Sequence, residues 1–197
     1  MSYPFSAMLS RMNYIDRWGL MRNSRTESLS EHTLATAFTA HLLAHIAAGI
    51  YQAEDVRPER VTVAALYHDI SEIMTGDMPT PVKYGSAKLH DEYKKIERES
   101  AERIMAMLPG EIGGAMKGEA LGDDLSEREK KILKAADKIS ALQKCEEEAM
   151  NGNTEFRSAY ESTLNFLKGD GLPETAYYLK EFFPCFSMTL DELMEKQ

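Results

Sequence analysis

Apolar residues recur along this chain at the spacing of helices. Leu9, Met12 and Ile15 fall on one side of a segment from about 6 to 17, which predicts a first amphipathic helix. No segment alternates apolar and polar residues clearly enough to predict a strand, and the sequence has no internal repeat or low-complexity tract. The pattern therefore predicts an all-α fold, a single-domain helical bundle that covers residues 1–197.

Capping residues predict where the longer helices begin. A serine followed three positions later by glutamate has the spacing of a capping box. Two such pairs occur, Ser28 with Glu31 and Ser126 with Glu129, and their helices are predicted to run to about residues 51 and 150. Pro58 opens a further helix that ends at Gly76. Other helices are predicted over 86–107 and near 154–167, 173–183 and 189–195.

Glycine and proline predict two irregular segments. The segment 77–85 contains two prolines and ends in glycine, so it is predicted to be a loop. Residues 110–125 contain five glycines and are predicted to form a mobile connection. Boundaries from such patterns are good to a few residues.

Composition narrows the function classes. Hydrophobic residues make up 43% and charged residues 28% of the 197 residues, which is ordinary for a globular fold. The net charge of −9 disfavours nucleic-acid polymers and membrane as partners, although a metal ion could still reverse the field for a small phosphorylated substrate. Cys145 and Cys185 form no CxxC pair, and the N-terminal residues lack the apolar core of a secretory signal. We therefore expect a cytoplasmic protein with reduced thiols.

The candidate chemistry lies at His68 and Asp69, adjacent in the apolar string VAALYHDISE. On a continuous helix Glu72 falls roughly 40° from His68 and roughly 60° from Asp69. Asp137 lies in the similarly apolar string ILKAADKISAL. A carboxylate in such surroundings is costly unless it is paired or bound to metal. Imidazole and carboxylate ligands together indicate a catalytic divalent ion.

Simpler interpretations stay open for these residues. An HD dipeptide is common by chance, and Asp137 could pair with Lys134 or Lys138, although helical spacing turns both lysines away from it. Glu72 could be a mere partner of the ligands instead of a catalytic group. His90 lies on a charged helix and is expected to be solvated.

His41 and His45 form an HxxxH pair that could bind zinc. The same predicted helix also carries His32. On an unbroken helix His41 and His45 lie about 180° and 220° around from it, beside Leu34 and Phe38. We therefore predict that they pack in the core or cap polar groups.

The candidate residues follow the order H…HD…D, with His32 first, then His68 and Asp69, then Asp137. This order resembles that of the HD-domain metal-dependent phosphohydrolases. The strings IDRWGLMRNSRTESLSEHT, YHDISEIMTGDMPTPVKY and KAADKISALQKCEEE are similar to those of the HD-domain 5′-deoxynucleotidases of the YfbR type. The resemblance extends from about residue 8 to the C-terminal FFPCFSMTLDEL. It implies a helical bundle of the HD-domain type that removes phosphate from deoxyribonucleoside 5′-monophosphates.

The resemblance also implies roles for the matching residues. The metal ligands would be His32, His68, Asp69 and Asp137, of which Asp69 and Asp137 also reach the substrate. Glu72 would be the catalytic acid or base, and Arg17, also catalytic, would contact the substrate together with Trp18. The loop that holds the nucleotide would comprise Asp77, Met78, Pro79 and Thr80. Because His90 is the only further histidine after the HD pair, we expect one divalent ion, with cobalt, manganese, zinc and iron all suitable.

Trp18 has two interpretations. As the residue three beyond Ile15 it could complete the apolar stripe of the first helix. In the family the indole would form a wall against the sugar, opposite Asp77, which would accept a hydrogen bond from the 3′-hydroxyl. Such a wall offers no partner to a 2′-hydroxyl, so deoxynucleotides should be favoured. No motif offers dedicated base-reading groups, and base preference should be loose.

Other predictions concern partners and alternatives. The resemblance suggests a homodimer, and the C-terminal aromatic residues could form either its interface or part of the core: Tyr177, Tyr178, Phe182 and Phe183. Arg22, Arg25 and Lys83 could form an anion-binding rim, with directions that the sequence does not fix. The alternative functions are a nucleoside triphosphohydrolase, a cyclic-nucleotide phosphodiesterase and a non-catalytic helical interaction module with a structural metal.

Overall fold

A computed structural model describes residues 2–79, 83 and 86–196, and the regular elements within those residues are helices. They are α1 (Phe5–Leu9), α2 (Leu29–His45), α3 (Pro58–Tyr67), α4 (Glu72–Thr75), α5 (Ala87–Met105), α6 (Gly110–Ala120), α7 (Glu127–Met150), α8 (Arg157–Gly169), α9 (Pro173–Glu181) and α10 (Leu190–Glu195). Short 3₁₀ turns cover Ser10–Tyr14, Thr154–Phe156 and Phe183–Ser187, and a π-helical turn, Ile46–Ile50, extends α2. The all-α fold predicted from the sequence is confirmed.

The main core lies between α2, α3 and α7, with α8 and α9 packed on its outer side. Its fully buried members include Leu43, Val61, Ile139 and Leu167. A second apolar cluster joins α1, α5 and α6 around Ile104. Because α2, α3 and α7 pack directly on one another, side chains that point inward from these three helices meet at one place.

The helix Leu29–Ile50, which comprises α2 and its π-helical end, is predominantly apolar. Its 22 residues and mean hydropathy of 1.4 would suffice to cross a membrane by length and composition alone. Threonines and histidines interrupt the apolar residues of this helix. Half of the most apolar 18 residues of this helix are buried inside the protein, and the helix packs against α3 and α7. This is the arrangement of a core helix.

Both predicted capping boxes are present. Ser28 accepts a hydrogen bond from the backbone N–H of Glu31, whose side chain accepts the N–H of Ser28 in return. Ser126 and Glu129 form the same reciprocal pair at the start of α7. These two boxes fix the first residues of the two helices that carry His32 and Asp137.

The first helix is shorter than predicted. It ends as a 3₁₀ turn at Tyr14, because the chain beyond it is extended and pairs with the residues before α2. Leu29 N donates to Ile15 O at 2.8 Å, and Arg17 N donates to Glu27 O at 2.9 Å. Trp18 therefore lies outside the helical stripe, in a turn where its φ is +61°. Positive φ is rare for a bulky residue and indicates a conformation that the surrounding structure imposes.

The predicted helix from Pro58 to Gly76 is interrupted. Helix α3 ends at Tyr67, and the next four residues form turns whose backbone hydrogen bonds join residues three apart, such as Glu72 N to Asp69 O at 2.9 Å. The chain is therefore wound more tightly there than an α-helix. Gly76, with φ of +72°, ends α4 as predicted.

Residues 110–125 are not a mobile connection but contain α6. The glycines permit close approach there: a Cβ at Gly118 would lie 2.5 Å from Asp124 Oδ2, and one at Gly113 would lie 3.4 Å from Met105 O. The helix packs on α3 and α5 and buries Ala120 in the second cluster. Tertiary packing therefore outweighs the low helix propensity of glycine.

The C-terminal aromatic residues divide between core and surface. Tyr178 is 3% exposed in the main core, and Tyr177 and Phe183 pack against it while partly buried. Of the four, Phe182 is the exposed one, at 37%.

Candidate active site

Four of the residues singled out in the sequence meet between α2, α3 and α7. His32 lies in the first turn of α2, His68 and Asp69 directly follow α3, and Asp137 lies near the middle of α7. His32 Nε2 is 3.2 Å from Asp137 Oδ1 and 3.5 Å from Asp69 Oδ2, and His68 Nε2 is 3.0 Å from the same Asp69 oxygen. Helix packing thus brings together groups that are 105 residues apart in sequence.

Both imidazole rings are oriented through Nδ1. His68 Nδ1–H donates to the carbonyl oxygen of Ala65 at 2.8 Å, and His32 Nδ1 lies 3.0 Å from Ser140 Oγ. A histidine held through Nδ1 presents Nε2 as its ligand atom. His68 Nε2 is buried and, although it lies 3.0 Å from Asp69 Oδ2, it lacks the geometry of a hydrogen bond.

The donor set fits a divalent ion. Ligand atoms of His32, His68 and Asp69 all lie within 4.8 Å of one another, and among the described residues these form the metal-capable group of three. Asp137 adjoins that group through His32. Two neutral nitrogens and two carboxylates suit borderline ions such as zinc, manganese, cobalt and iron.

Electrostatic interactions keep both carboxylates ionised. Burial alone would raise the pKa of Asp69, but the positive charge of His68 lowers that pKa to about 2. The pKa of Asp137 likewise lies well below its usual range despite burial, because of its hydrogen bond with His32 and the charge of Lys138. Burial and the nearby Arg17 lower the pKa of His32. The pKa of His68 is raised to about 9, because Asp69 outweighs the opposite effect of burial, so His68 must release a proton to bind an ion.

The predicted orientation of Lys138 relative to Asp137 on α7 is wrong. Lys138 was expected to point away from Asp137, yet its Nζ lies 3.6 Å from Asp137 Oδ2. The lysine has a long flexible stem that reaches back toward its neighbour in sequence. Both side chains are partly exposed, so this pair leaves the opposite oxygen, Oδ1, directed at His32.

Glu72 lies at the start of α4, with a relative exposure of 7%. Its Oε2 atom is buried without a hydrogen-bond partner. Burial, together with the negative charges of Asp69 and Asp77, raises the pKa of Glu72 to about 9. The helical angles expected for an unbroken helix do not apply across the turns after Tyr67, but the carboxyl of Glu72 still interacts electrostatically with Asp69 and Arg17.

Arg17 and Trp18 are held by a residue that the sequence analysis did not single out. Glu27 Oε2 accepts hydrogen bonds from Arg17 Nη1 at 2.8 Å and from Trp18 Nε1 at 3.0 Å. Arg17 Nε is buried without a partner, and the charges of Glu27, Asp69 and Asp137 raise the pKa of the guanidinium against the opposing effect of burial. Arg17 is therefore a fixed cation beside the carboxylates.

The second residue overlooked in the sequence is Ser140, which orients His32. It lies one turn after Asp137 on α7, so a polar residue on the buried side of that helix was the available signal. Glu27 had no such signal, because it lies in a polar segment between two helices, where an acidic residue is unremarkable.

The loop expected to hold the nucleotide adjoins Trp18. Trp18 N donates to Asp77 Oδ2 at 3.1 Å, which ties the turn at Trp18 to the residue after Gly76. Met78 and Pro79 are partly buried beside it. Thr80 and Pro81 lie outside the described residues.

The three basic residues considered for an anion-binding rim, Arg22, Arg25 and Lys83, are all ion-paired. Arg22 binds Glu155 and Arg25 binds Glu147, both at 2.7 Å on the surface, so neither guanidinium is directed at the ligand cluster. Lys83 Nζ binds Glu97 at 2.7 Å and lines a cleft of about 380 Å³ that also exposes His68 and Asp69.

His41 and His45 were predicted to pack in the core or to cap polar groups, and the prediction of core packing is wrong. Both are exposed on α2, as are Leu34 and Phe38 at 50% and 69%. The face of α2 opposite His32 is not covered by any of the residues that the structure describes, which the apolar composition of the helix could not reveal.

The fold is that of the HD-domain phosphohydrolases. An HD-domain phosphohydrolase from Listeria innocua matches with a TM-score of 0.78 at 24% identity, over 92% of this chain and 87% of that one. An HD phosphohydrolase of cyanophage S-2L, solved with dA and one catalytic Zn²⁺ ion, matches with a TM-score of 0.64 at 20% identity, over 93% and 97% of the two chains.

The chain belongs to the YfbR-like 5′-deoxynucleotidase family, whose model matches residues 4–186. A 5′-deoxynucleotidase of Yersinia pseudotuberculosis is 44% identical over 191 residues, covering 96% of this chain and 95% of that protein. One of Erwinia tasmaniensis is 43% identical over 192 residues, covering 98% and 96%. The family and the phosphohydrolase class predicted from the sequence motifs are confirmed.

Proposed function

We propose that this 5′-deoxynucleotidase acts through one divalent ion, with His32, His68, Asp69 and Asp137 as ligands. The observation that supports this is the convergence of the two Nε2 atoms on the two carboxylates, with each ring oriented through Nδ1. When bound, such an ion supplies Lewis-acid activation of water and of the phosphoryl group. The substrate is a deoxyribonucleoside 5′-monophosphate and the products are inorganic phosphate and the nucleoside.

The protein's own groups carry out the remaining steps. Glu72 has a buried oxygen without a partner and interacts electrostatically with Asp69, and it donates a proton to the leaving 5′-oxygen, which completes the hydroxyl of the nucleoside. Arg17 offsets the phosphate charge through the guanidinium donors that Glu27 does not occupy. Asp77, Met78, Pro79 and Thr80, with Trp18 opposite, hold the nucleoside.

The ligand assignment is tested by metal content. Each of His32→Ala, His68→Ala, Asp69→Ala and Asp137→Ala should lose the bound ion and nearly all turnover while keeping helical circular dichroism. His90→Ala, on α5, is the matched control and should retain both. Full metal content and full turnover in two or more of the four variants would show that the ligands are wrong.

The reaction is tested with a nucleotide panel after chelation and addition of cobalt, manganese, zinc or iron. Release of inorganic phosphate from dAMP or dTMP supports the proposal. Release of triphosphate from dATP, or opening of a cyclic nucleotide in preference to the monophosphates, would favour the two alternative enzymes. No turnover of any nucleotide by protein containing one ion would favour a structural metal.

We propose in addition that the chain forms a homodimer. Exposed apolar side chains occur on two helices, with Leu34 and Phe38 on α2 and Leu190 and Met194 on α10. The 3₁₀ turn at Phe186 lines a cleft together with Ala35 of α2, so the C-terminal segment approaches that helix. Light scattering should give about twice the chain mass of 22.2 kDa, and a species of 22.2 kDa at micromolar concentration would exclude the dimer.

A further inference from the structure

Two histidines face one another on the outer surface of α2, remote from the candidate active site. His41 Nε2 and His45 Nε2 are 3.1 Å apart, and the ring centroids are 4.5 Å apart. Both side chains are exposed. His41 is nine residues beyond His32, or about 13 Å along the helix axis, so the pair cannot share an ion with His32.

The separation of the two Nε2 atoms equals that expected for two nitrogens bound to one ion. With metal–nitrogen bonds of about 2.0–2.1 Å and angles between a right angle and the tetrahedral value, the nitrogens lie roughly 2.8–3.4 Å apart. A direct hydrogen bond between the rings would use the lone pair of one nitrogen only. A bound ion uses the lone pairs of both.

We propose that His41 and His45 chelate a divalent transition-metal ion of the borderline class, such as Zn²⁺, Ni²⁺ or Cu²⁺. Imidazole is a preferred ligand of these ions, and two histidines four apart on one helical face are a known chelating arrangement. The backbone of α2 holds the two residues one turn apart, so little ordering of the backbone is needed for binding.

The site has two protein ligands. Among the residues that the structure describes, the one group of three potential ligands is that of His32, His68 and Asp69. Water or a donor from another molecule therefore completes the coordination at His41 and His45, and the ion exchanges readily with solvent. The inference is independent of the proposed catalytic function, because neither histidine contacts the candidate active site.

The experiment is a metal count by equilibrium dialysis against micromolar Ni²⁺ or Zn²⁺. The wild-type protein should bind two equivalents, whereas His41→Ala and His45→Ala should each bind one. Both variants should keep kcat/KM within about twofold of the wild-type value, because only the surface ion is lost. His90→Ala is the matched control and should bind two. Mn²⁺, which lies low in the affinity order and prefers oxygen ligands, should give one equivalent in all four proteins.

A complementary variant distinguishes the ion bound at His41 and His45 from the ion bound in the active site. His68→Ala should lose the active-site equivalent and keep the surface one, and the electron paramagnetic resonance of Cu²⁺ bound to that variant should show coupling to two imidazole nitrogens. Alanine is a favourable helix residue and both histidines are exposed, so helical circular dichroism should be unchanged in the surface variants. Retention of the wild-type metal count by both surface variants, or the absence of a bound ion in His68→Ala, would overturn the proposal.

Discussion

Glu27 and Trp18 are joined by a hydrogen bond of 3.0 Å from the indole Nε1 to the carboxylate Oε2. The same oxygen accepts a hydrogen bond from Arg17 at 2.8 Å, and the guanidinium lies 5.6 Å from the centre of the indole ring. Glu27 is buried, with 6% relative exposure. One carboxylate oxygen therefore positions both residues expected to contact the nucleotide.

Glu27→Gln should lower kcat/KM by about tenfold to a hundredfold, with part of the loss in KM. The amide cannot match the charge of Arg17, and each buried donor left unpaired costs about 1–3 kcal/mol. Steady-state kinetics on dAMP and AMP give the measurement. Glu155→Gln is the matched control, since it removes the partner of an exposed arginine and should change little. Unchanged KM and unchanged sugar preference in Glu27→Gln would assign Glu27 to stability alone.

Glu72→Gln should retain the metal and lose at least about a hundredfold in kcat, as expected for a missing proton donor. The substitution preserves size and removes the proton-transfer group, so packing in the buried pocket should be maintained. Metal stoichiometry tests the retention of the ion, and single-turnover rates on dAMP test the loss in rate. A variant with normal stoichiometry and nearly normal rate would exclude Glu72 from catalysis.

The sugar preference should depend on Trp18. The wild-type enzyme should favour dAMP over AMP and dTMP over UMP by about tenfold to a hundredfold in kcat/KM, and Trp18→Ala should reduce that ratio. Because φ at this position is +61°, Trp18→Gly removes the indole and also relieves the backbone. Equal loss of selectivity in both variants would identify the indole as the cause, whereas wild-type selectivity in both would refute the sugar wall.

The free energy of unfolding should depend on pH through Glu148, which is buried at the C-terminal end of α7. Burial raises the pKa of this carboxyl, but hydrogen bonds from Lys144, Ser24 and Asn153 outweigh it and lower the pKa from 4.5 to about 2. Because the folded value lies below the unfolded one, the stabilisation is fully present above about pH 4.5 and is lost as the pH falls toward 2.

The measurement is denaturant unfolding of wild type and Glu148→Gln between pH 7 and pH 3. The difference in unfolding free energy should be largest at pH 7, at up to about 3 kcal/mol, and should narrow as the pH falls. Taking the difference cancels the titration of the other carboxylates, which both proteins share. A difference that stays constant with pH would contradict the assigned pKa.

The sequence predicted the helices whose ends are set by local chemistry. The boxes at Ser28 and Ser126 were found because a capping interaction involves residues three apart, which a sequence displays directly. The early end of the first helix was not found, because it depends on pairing with Glu27 and Leu29. The helix at 110–125 was missed for the same reason, since packing against α3 and α5 is not local.

His68, Asp69 and Asp137 could be selected from the sequence because polar groups in apolar strings are unusual, whereas His32 was assigned through the family resemblance. Their roles stay predictions, while the structure shows that His32, His68, Asp69 and Asp137 converge. What the sequence could not give is orientation. Ser140 and the carbonyl of Ala65 set the direction of the two imidazoles, and Glu27 sets that of Arg17.

The apolar helix Leu29–Ile50 has a consequence for synthesis on the ribosome. Its packing partner α7 ends at Met150, about 100 residues after Ile50, and translation proceeds at roughly 5–20 residues per second. The nascent chain therefore carries a 22-residue segment of membrane-like hydropathy, with α3 already made but α7 still incomplete, for roughly 5–20 s. Threonines and histidines interrupt that segment, and polar residues lower the affinity of a helix for lipid.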